Sequence, residues 1–189
     1  MNFLKNISKN WKTIAIASSI FLFLFYFLGY HNLFFRGPYG MHFMRQTDSL
    51  SFVSQYFNNG FHYFEPQLFN LKNIDGRAAC EFPILYYLTS ILYLILGKKL
   101  FLLKFIHLLI SFTGLFYVYR LAYLILKDYV YSILIALFLC TSTVFNFYAF
   151  NYLPDAPALG FVFIAWYYVF HYQHSGAKSS GIKAFIFLL

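Results

Sequence analysis

Long apolar segments separated by short polar ones make up most of this chain. A helix crosses the hydrocarbon layer of a bilayer with about 20 mainly apolar residues, and several segments approach that length. They predict an all-α membrane protein, a multi-span helical bundle that forms a single transmembrane domain over 1–189. The expected membrane spans are 13–30, 100–126, 129–150 and 156–172, with the start of another at 182.

The stretch 31–81 interrupts this pattern, because it is the least hydrophobic part of the chain and holds Asp48, Glu65, Asp75 and Glu81. Upstream of the first expected span, lysines occur without any acid, which is typical of the cytoplasmic side of a membrane. We therefore expect 31–81 to form a large first extracytoplasmic loop that carries juxtamembrane helices.

Within this loop, apolar residues recur with helical spacing over 48–57. The apolar face carries Leu50, Val53 and Phe57. This spacing predicts a helix that lies along the membrane surface, with Ser49 and Gln55 turned away from the apolar face. Thr47 or Asp48 would cap its start, and the Asn-Asn-Gly sequence that follows would end it.

The next apolar run, 82–96, would rise only about 22 Å as a helix, which is short for a membrane span. We expect it to be a juxtamembrane helix rather than a crossing. Asp155 then lies on the same extracytoplasmic side as Asp48. The cytoplasmic side receives four basic residues: Arg120, Lys127, Lys178 and Lys183.

Composition agrees with a membrane location. The mean hydropathy is +0.62, and 61% of the residues are hydrophobic. The net charge of +8 comes from basic residues placed singly near the ends of apolar runs, as topology signals are, so it does not indicate nucleic-acid binding. Cys80 and Cys140 form neither a disulfide framework nor a metal-ligand spacing. The last apolar run stops soon after it begins, and we expect the chain to be the N-terminal part of a longer protein.

Charged side chains beside a lipid-facing core are costly, which makes them candidates for function. Arg45 and Asp48 stand one helical turn apart, with His42 just upstream, and arginine suits bidentate binding of phosphate. Glu81 and Asp155 each stand directly before an apolar segment. Each acid also has a purely structural explanation, because acids cap helices and favour their N-terminal dipole. Three acids at three element starts, in a chain with only six acids, favour a shared site.

These residues occur in motifs that resemble those of integral-membrane glycosyltransferases of the GT-C type. The chain is similar to the dolichyl-phosphate-mannose–protein mannosyltransferase family, which includes the lipid A aminoarabinose transferases. The resemblance covers nearly the whole chain but only the N-terminal part of such an enzyme, and it departs at Met44, where the family commonly has an aromatic residue. The matching segments are His42-x-x-Arg45-Gln46-x-Asp48, Glu81-Phe82-Pro83 followed by Tyr86 or Tyr87, Gly97, and Tyr152-x-Pro154-Asp155.

The resemblance implies transfer of a sugar from a polyprenyl-phosphate donor to a lipid, glycan or protein acceptor at the outer face of a bacterial cytoplasmic membrane. It implies Asp48 and Asp155 as catalytic residues, and Arg45, Glu81 and His42 as substrate-binding residues. A carboxylate can accept the proton of the acceptor hydroxyl. The leaving lipid phosphate needs positive charge, which Arg45, a divalent metal ion or a basic residue beyond position 189 could supply.

Two other classes of protein fit parts of the pattern. A small transporter could use Lys104, His107 and Arg120 to line a polar path. Against this, the apolar runs contain no paired acids, and Lys104 and Arg120 lie near run ends, from which their side chains can extend to the membrane surface. A non-catalytic membrane subunit is the third possibility, and the abrupt end of the chain is its main support.

Overall fold

A computed structural model of the chain describes residues 15, 19–20, 22–23, 25–27, 29–69, 75–81 and 83–188. From Tyr30 onward, the described residues form eight α-helices and one isolated β-bridge, which confirms the predicted all-α class. Contacts divide the chain into two compact units, Met1–Arg36 and Gly37–Leu189. The assignment of the whole chain to one transmembrane domain stays a prediction.

The first unit contains helix α1, Tyr30–Phe34, which follows Gly29 in a left-handed conformation with a φ of 71°. Upstream of it, the rings of Phe23 and Phe27 stack with their centroids 5.8 Å apart, one helical turn from each other. Much of the expected span 13–30 lies outside the described residues, so this span stays a prediction.

The second unit opens with helix α2, Phe43–Asn59, which begins well before the predicted helix 48–57. His42 precedes the helix in a left-handed conformation with a φ of 59°, so the chain turns sharply there and the helix starts at once. The prediction that Thr47 or Asp48 caps the helix is therefore wrong, because both residues lie inside it. The predicted end at the Asn-Asn-Gly sequence is confirmed.

Helix α3, Ile84–Leu96, packs against the buried face of α2. The ring of Phe52 stacks on that of Tyr86 at 5.5 Å, and the Tyr86 hydroxyl lies 3.2 Å from the Ser49 hydroxyl. Ser49 is thus buried between the two helices, and the prediction that it faces away from the apolar side is wrong. The predicted apolar face of α2 is buried or half-buried: Leu50, Val53 and Phe57.

Two long helices of the second unit, α4 (Phe101–Leu126) and α7 (Asp155–Ser175), lie side by side. A Cβ atom added to Gly114 would lie 2.4 Å from the Cα of Gly160, so the two backbones touch where neither residue has a side chain. Small residues at such contacts are common where helices pack inside membranes.

The helices α4 and α7 run parallel, because their contacts progress in the same direction along both. His107 near the start of α4 contacts Asn151 just ahead of α7. The glycine contact follows near the middle of α4. Further along, the guanidinium of Arg120 lies over the ring of Tyr167 at 4.5 Å. Both helices therefore begin at the same end of the pair, which we call the site end.

Helices α5 (Tyr129–Cys140) and α6 (Thr143–Ala149) return the chain from the end of α4 to the start of α7. They are bent relative to each other by 66°, so the expected span 129–150 is not one continuous helix. The hydroxyl of Ser142 accepts a hydrogen bond from the backbone N–H of Phe145 at 3.4 Å. A serine that caps a new helix in this way competes with continuation of the preceding one.

Helix α8, Lys178–Leu188, starts earlier than the apolar run expected from 182 and folds back along α7. The ring of Phe187 contacts that of Phe161, with centroids 6.2 Å apart. In the described part of the chain, α4 alone is long and apolar enough to cross a membrane, and the bent pair α5–α6 would be a second such span if it counts as one. This is fewer than the sequence pattern predicts, because α7 is not among the candidate spans and much of the expected span 13–30 lies outside the described residues.

Candidate functional site

Three charged side chains from separate parts of the second unit meet at the site end. The Nη2 of Arg45 lies 2.8 Å from the Oε1 of Glu81 and 3.7 Å from the Oδ2 of Asp155. These side chains are 43%, 60% and 44% exposed, and exposed ion pairs stabilise a fold by only about 0–1 kcal/mol. Stability alone therefore does not explain why the three charges converge.

The turn before α2 holds Arg45 in place through its neighbour Gln46, which is fully buried. The amide nitrogen of Gln46 donates to the backbone oxygens of Tyr39 and Met41 at 2.7 and 2.8 Å, and its oxygen accepts from the backbone N–H of Tyr39 at 3.1 Å. Both amide donors are thus satisfied inside the protein. In the Arg-Gln-x-Asp motif, the glutamine builds the turn and the arginine presents the charge.

Asp155 is the first residue of helix α7 and follows Pro154, which occupies the N-cap position, so Asp155 is not the N-cap residue. By contrast, Asp128 at the start of α5 accepts from the backbone N–H groups of Val130 and Tyr131 at 2.8 and 3.1 Å. The capping explanation holds for Asp128 and fails for Asp155, whose carboxylate faces Arg45 instead. Glu81 reaches the same guanidinium from just ahead of α3.

The charged cluster borders an apolar cleft of about 590 Å³ between helices α3, α7 and α8. Arg45, Glu81 and Asp155 all line it. The remaining walls are almost entirely apolar, and they include Ile84, Leu85, Ala158, Phe161, Val162 and Phe187. A cleft with charges at its border and apolar walls matches a ligand that has a polar head and a hydrocarbon tail.

Asp48, the first candidate from the sequence, is exposed on α2 and is not among the residues that line the cleft. It stands three positions after Arg45 on the same helix, a spacing that places the two Cβ atoms about 5–6 Å apart. The structure therefore brings Arg45, Glu81 and Asp155 into direct contact and leaves Asp48 one turn away, facing solvent.

His42, also a candidate, contacts a residue that the sequence did not single out. Its Nε2 lies 3.2 Å from the hydroxyl of Tyr148 on α6. Tyr148 lies in an apolar run without any charged neighbour, so no sequence signal marked it. This contact connects the turn before α2 to the segment that leads into Asp155.

Electrostatic contacts favour the charged form of Arg45. Partial burial acts to lower the pKa of Arg45, but the hydrogen bond that Arg45 donates to Glu81 and the nearby charge of Asp155 outweigh it, so the pKa is raised. The guanidinium therefore remains a permanent cation at the border of the cleft. It is a fixed source of positive charge for an anionic group that enters there.

Two polar residues of α4 lie deeper than expected. Lys104 is fully buried, with its Nζ 4.5 Å from the ring centroid of Tyr152, so the expectation that it extends to the membrane surface is wrong. His107 is also fully buried, and its Nδ1 donates to the backbone oxygen of Asn151 at 3.2 Å. Its Nε2 has no hydrogen-bond partner among the described residues.

Within the described ranges, no three or more His, Cys, Asp and Glu side chains group into a set that could hold a metal ion. The two carboxylates nearest the cleft are both directed at Arg45, which makes them a poor fit for a metal as they stand. Comparison of the chain with protein-family models, with curated proteins and with solved structures found no match.

Proposed function

We propose that this chain belongs to an integral-membrane glycosyltransferase that moves a sugar from a polyprenyl-phosphate donor to an acceptor at the outer membrane surface. The observation that carries the proposal is the Arg45–Glu81–Asp155 cluster at the border of an apolar cleft. A lipid-linked sugar needs both features at once, because its phosphate requires a cation and its tail requires apolar walls. The motif resemblance to the GT-C type supports the same assignment.

A multi-span membrane location is part of the proposal, and helix α5 supports it. The buried residues of this helix are Ser132 and Cys140, whereas Val130, Leu134 and Phe138 are 65%, 54% and 78% exposed. A helix in water turns its apolar side inward, so this reversed pattern favours lipid around α5. The contact between Arg45 and Asp155 supports the expected topology, in which both residues lie on the same side of the membrane.

In the proposed reaction, the acceptor hydroxyl oxygen attacks the anomeric carbon of the donor sugar. A new C–O bond forms as the bond between that carbon and the phosphate oxygen breaks, and the lipid phosphate leaves with the electron pair. Asp48, which faces solvent one turn from Arg45, accepts the hydroxyl proton as general base. Asp155 lines the cleft and accepts hydrogen bonds from the sugar hydroxyls.

Arg45 supplies positive charge to the leaving phosphate. A guanidinium carries five N–H donors, so it can bind phosphate oxygens while it keeps one carboxylate partner. Glu81 forms the shorter of the two ion pairs, and we propose that it holds Arg45 in position while the phosphate displaces the more distant Asp155. His42 and its partner Tyr148 hold the turn that presents Arg45.

A polar path for transport is the second candidate, since His107, Ser111 and Asn151 have buried side-chain atoms without partners among the described residues. All three residues are 0% exposed, which leaves this polar region closed to solvent. The cleft, by contrast, is open and combines charge with apolar walls. The geometry therefore favours the transferase over the transporter.

Sugar transfer in membranes that contain the complete protein tests the proposal, with a radiolabelled polyprenyl-phosphate sugar as donor. Asp48→Asn should lower the transfer rate by about 10²–10⁴-fold, because it removes the proton acceptor and preserves the shape of the side chain. Asp155→Asn should have a milder effect. Asp75→Asn is the matched control, because it makes the same change at an exposed acid of the same loop and should leave transfer unchanged.

Two results would count against these assignments. Near-normal transfer by the Asp48→Asn protein refutes Asp48 as the base. Loss of transfer in the Asp75→Asn control would show that any charge change in the loop is damaging, and the role of the cluster would then lose its support. Insertion into the membrane is checked for every variant by carbonate extraction.

A further inference from the structure

A second charged cluster lies further along the α4–α7 pair, towards the end opposite the Arg45 cluster. The guanidinium of Arg120 lies 4.5 Å from the ring centroid of Tyr167 and 5.6 Å from that of Tyr117. From α8, the Nζ of Lys183 lies 5.3 Å from the ring centroid of Tyr168. The hydroxyls of Tyr117 and Tyr168 are 3.0 Å apart, so two cations flank one pair of tyrosine hydroxyls.

Neither cation of this second cluster is neutralised by an acid within the residues that the structure describes. The ion pairs among the described residues involve Arg45 or Arg77 instead. Contact with an aromatic ring holds a cation without consuming its hydrogen-bond donors. Arg120 and Lys183 are both exposed, and they therefore present positive charge and N–H donors to the surroundings.

The surroundings of the two cations are apolar. One helical turn before Arg120, Phe116 is 55% exposed, and one turn after Lys183, Ile186 is 60% exposed. A small inorganic anion would leave these apolar side chains uncovered. An anion attached to hydrocarbon chains would satisfy the cations and cover the exposed apolar side chains at the same time.

We propose that Arg120, Lys183 and the hydroxyl pair of Tyr117 and Tyr168 bind the phosphate of an anionic phospholipid. Clustered basic residues at the cytoplasmic end of membrane helices attract anionic headgroups. The distribution of basic residues along the sequence assigns this end of the helices to the cytoplasmic side. One of the two tyrosine hydroxyls donates to the other, which leaves one O–H donor for a phosphate oxygen. The site requires the membrane location proposed above but does not depend on sugar transfer.

Native mass spectrometry of the purified protein in detergent tests the site, by titration with phosphatidylglycerol and with phosphatidylcholine of the same acyl chains. We expect tighter binding of phosphatidylglycerol. The double variant Arg120→Gln/Lys183→Gln should weaken that binding by about 25-fold, because each cation near an anionic headgroup contributes about 1 kcal/mol, or about fivefold. Lys99→Gln removes an exposed charge at the site end and should change the affinity less than twofold.

Equal affinity for the two lipids, or unchanged phosphatidylglycerol affinity in the double variant, would overturn the proposal. Competition by inorganic phosphate separates the two sources of the anion: displacement of the lipid at millimolar phosphate would mean that a soluble anion is the ligand. Thermal unfolding shows whether the double variant is folded. If it is not, the single variants Arg120→Gln and Lys183→Gln decide, each with an expected loss of about fivefold.

Discussion

The two ends of the α4–α7 pair hold their cations in opposite ways. At the site end, Arg45 lies between the carboxylates of Glu81 and Asp155 and borders an apolar cleft. At the other end, Arg120 and Lys183 lie on tyrosine rings. A cation between two acids can exchange partners when an anionic substrate enters, whereas a cation on an aromatic ring is already prepared to hold an anion. The difference suggests chemistry at one end and anchoring at the other.

The largest expected effect concerns the cation at the site end. Arg45→Gln removes the charge that the donor phosphate needs and leaves Glu81 and Asp155 without their shared partner. Sugar transfer in membranes with the complete protein should fall by about 10²–10³-fold, the usual effect of deleting one group that stabilises developing charge. Arg45→Lys keeps the charge without the planar donors and should recover part of the rate.

Arg77→Gln is the control for this experiment. Arg77 pairs with Glu65 at 3.1 Å, so the variant also breaks an exposed arginine–carboxylate pair, but away from the cleft. Its transfer rate should stay within about twofold of the wild type, since exposed pairs contribute little to stability. Comparable losses in both variants would mean that the site end has no special role.

The next prediction concerns the close contact between α4 and α7, which lies between the two ends. Gly114→Leu would place a side chain where even a Cβ atom comes within 2.4 Å of the Gly160 backbone. Because α4 and α7 must then separate, we expect a loss of about 3 kcal/mol of unfolding free energy, measured by denaturation in detergent. In Gly181→Ala, the new Cβ would lie 3.5 Å from Tyr172, which is an ordinary contact. This control should be neutral or stabilise α8 by about 0.5–1 kcal/mol.

A Gly114→Leu protein that unfolds like the wild type would show that the two helices do not depend on this close approach. The two ends of the pair would then be coupled less firmly than the structure indicates. An effect on both sugar transfer and lipid binding in this variant is expected, since the contact positions Asp155 and Arg120 alike.

Helix class and helix ends could be predicted only where local chemistry decides them. The end of α2 followed from the Asn-Asn-Gly sequence, because glycine readily adopts the left-handed conformation found at Gly60. The start of α2 could not be predicted, because the left-handed turn at His42 depends on the buried amide of Gln46 and its hydrogen bonds to Tyr39. Nothing in the local sequence shows that this glutamine is buried.

The same limit applies to the charged residues. Sequence grouped Asp155 with Arg45 and Glu81 through motifs, and their contact agrees with that grouping. Sequence could not separate Asp128, which caps a helix, from Asp155, which does not, because both precede apolar helices. The burial of Lys104 was missed for a related reason: its contact with Tyr152 joins residues far apart in the chain.

The smallest expected effect tests whether the charge of Glu81 still acts on its surroundings although Arg45 is paired with it. The neighbouring thiol of Cys80 is the probe, because burial and, to a lesser extent, the negative charge of Glu81 raise its pKa to about 12. An unfolded cysteine has a pKa of about 8.5. The folded state therefore keeps a proton that the unfolded state loses, and this contribution makes stability fall as pH rises from about 8.5 towards 12.

Maleimide labelling measures the thiolate of Cys80 in a Cys140→Ala background, where it is the one remaining cysteine of the chain. At pH 8 labelling should be slow and should rise about tenfold per pH unit, since the thiolate is the reactive form. Glu81→Gln removes the charge and leaves the burial, so we expect labelling to become about threefold faster, equivalent to about half a pKa unit. Glu65→Gln, an acid of the same loop that pairs with Arg77, should leave the rate unchanged. An unchanged rate in Glu81→Gln would mean that Arg45 fully screens this carboxylate, and Glu81 would then act only to position the guanidinium.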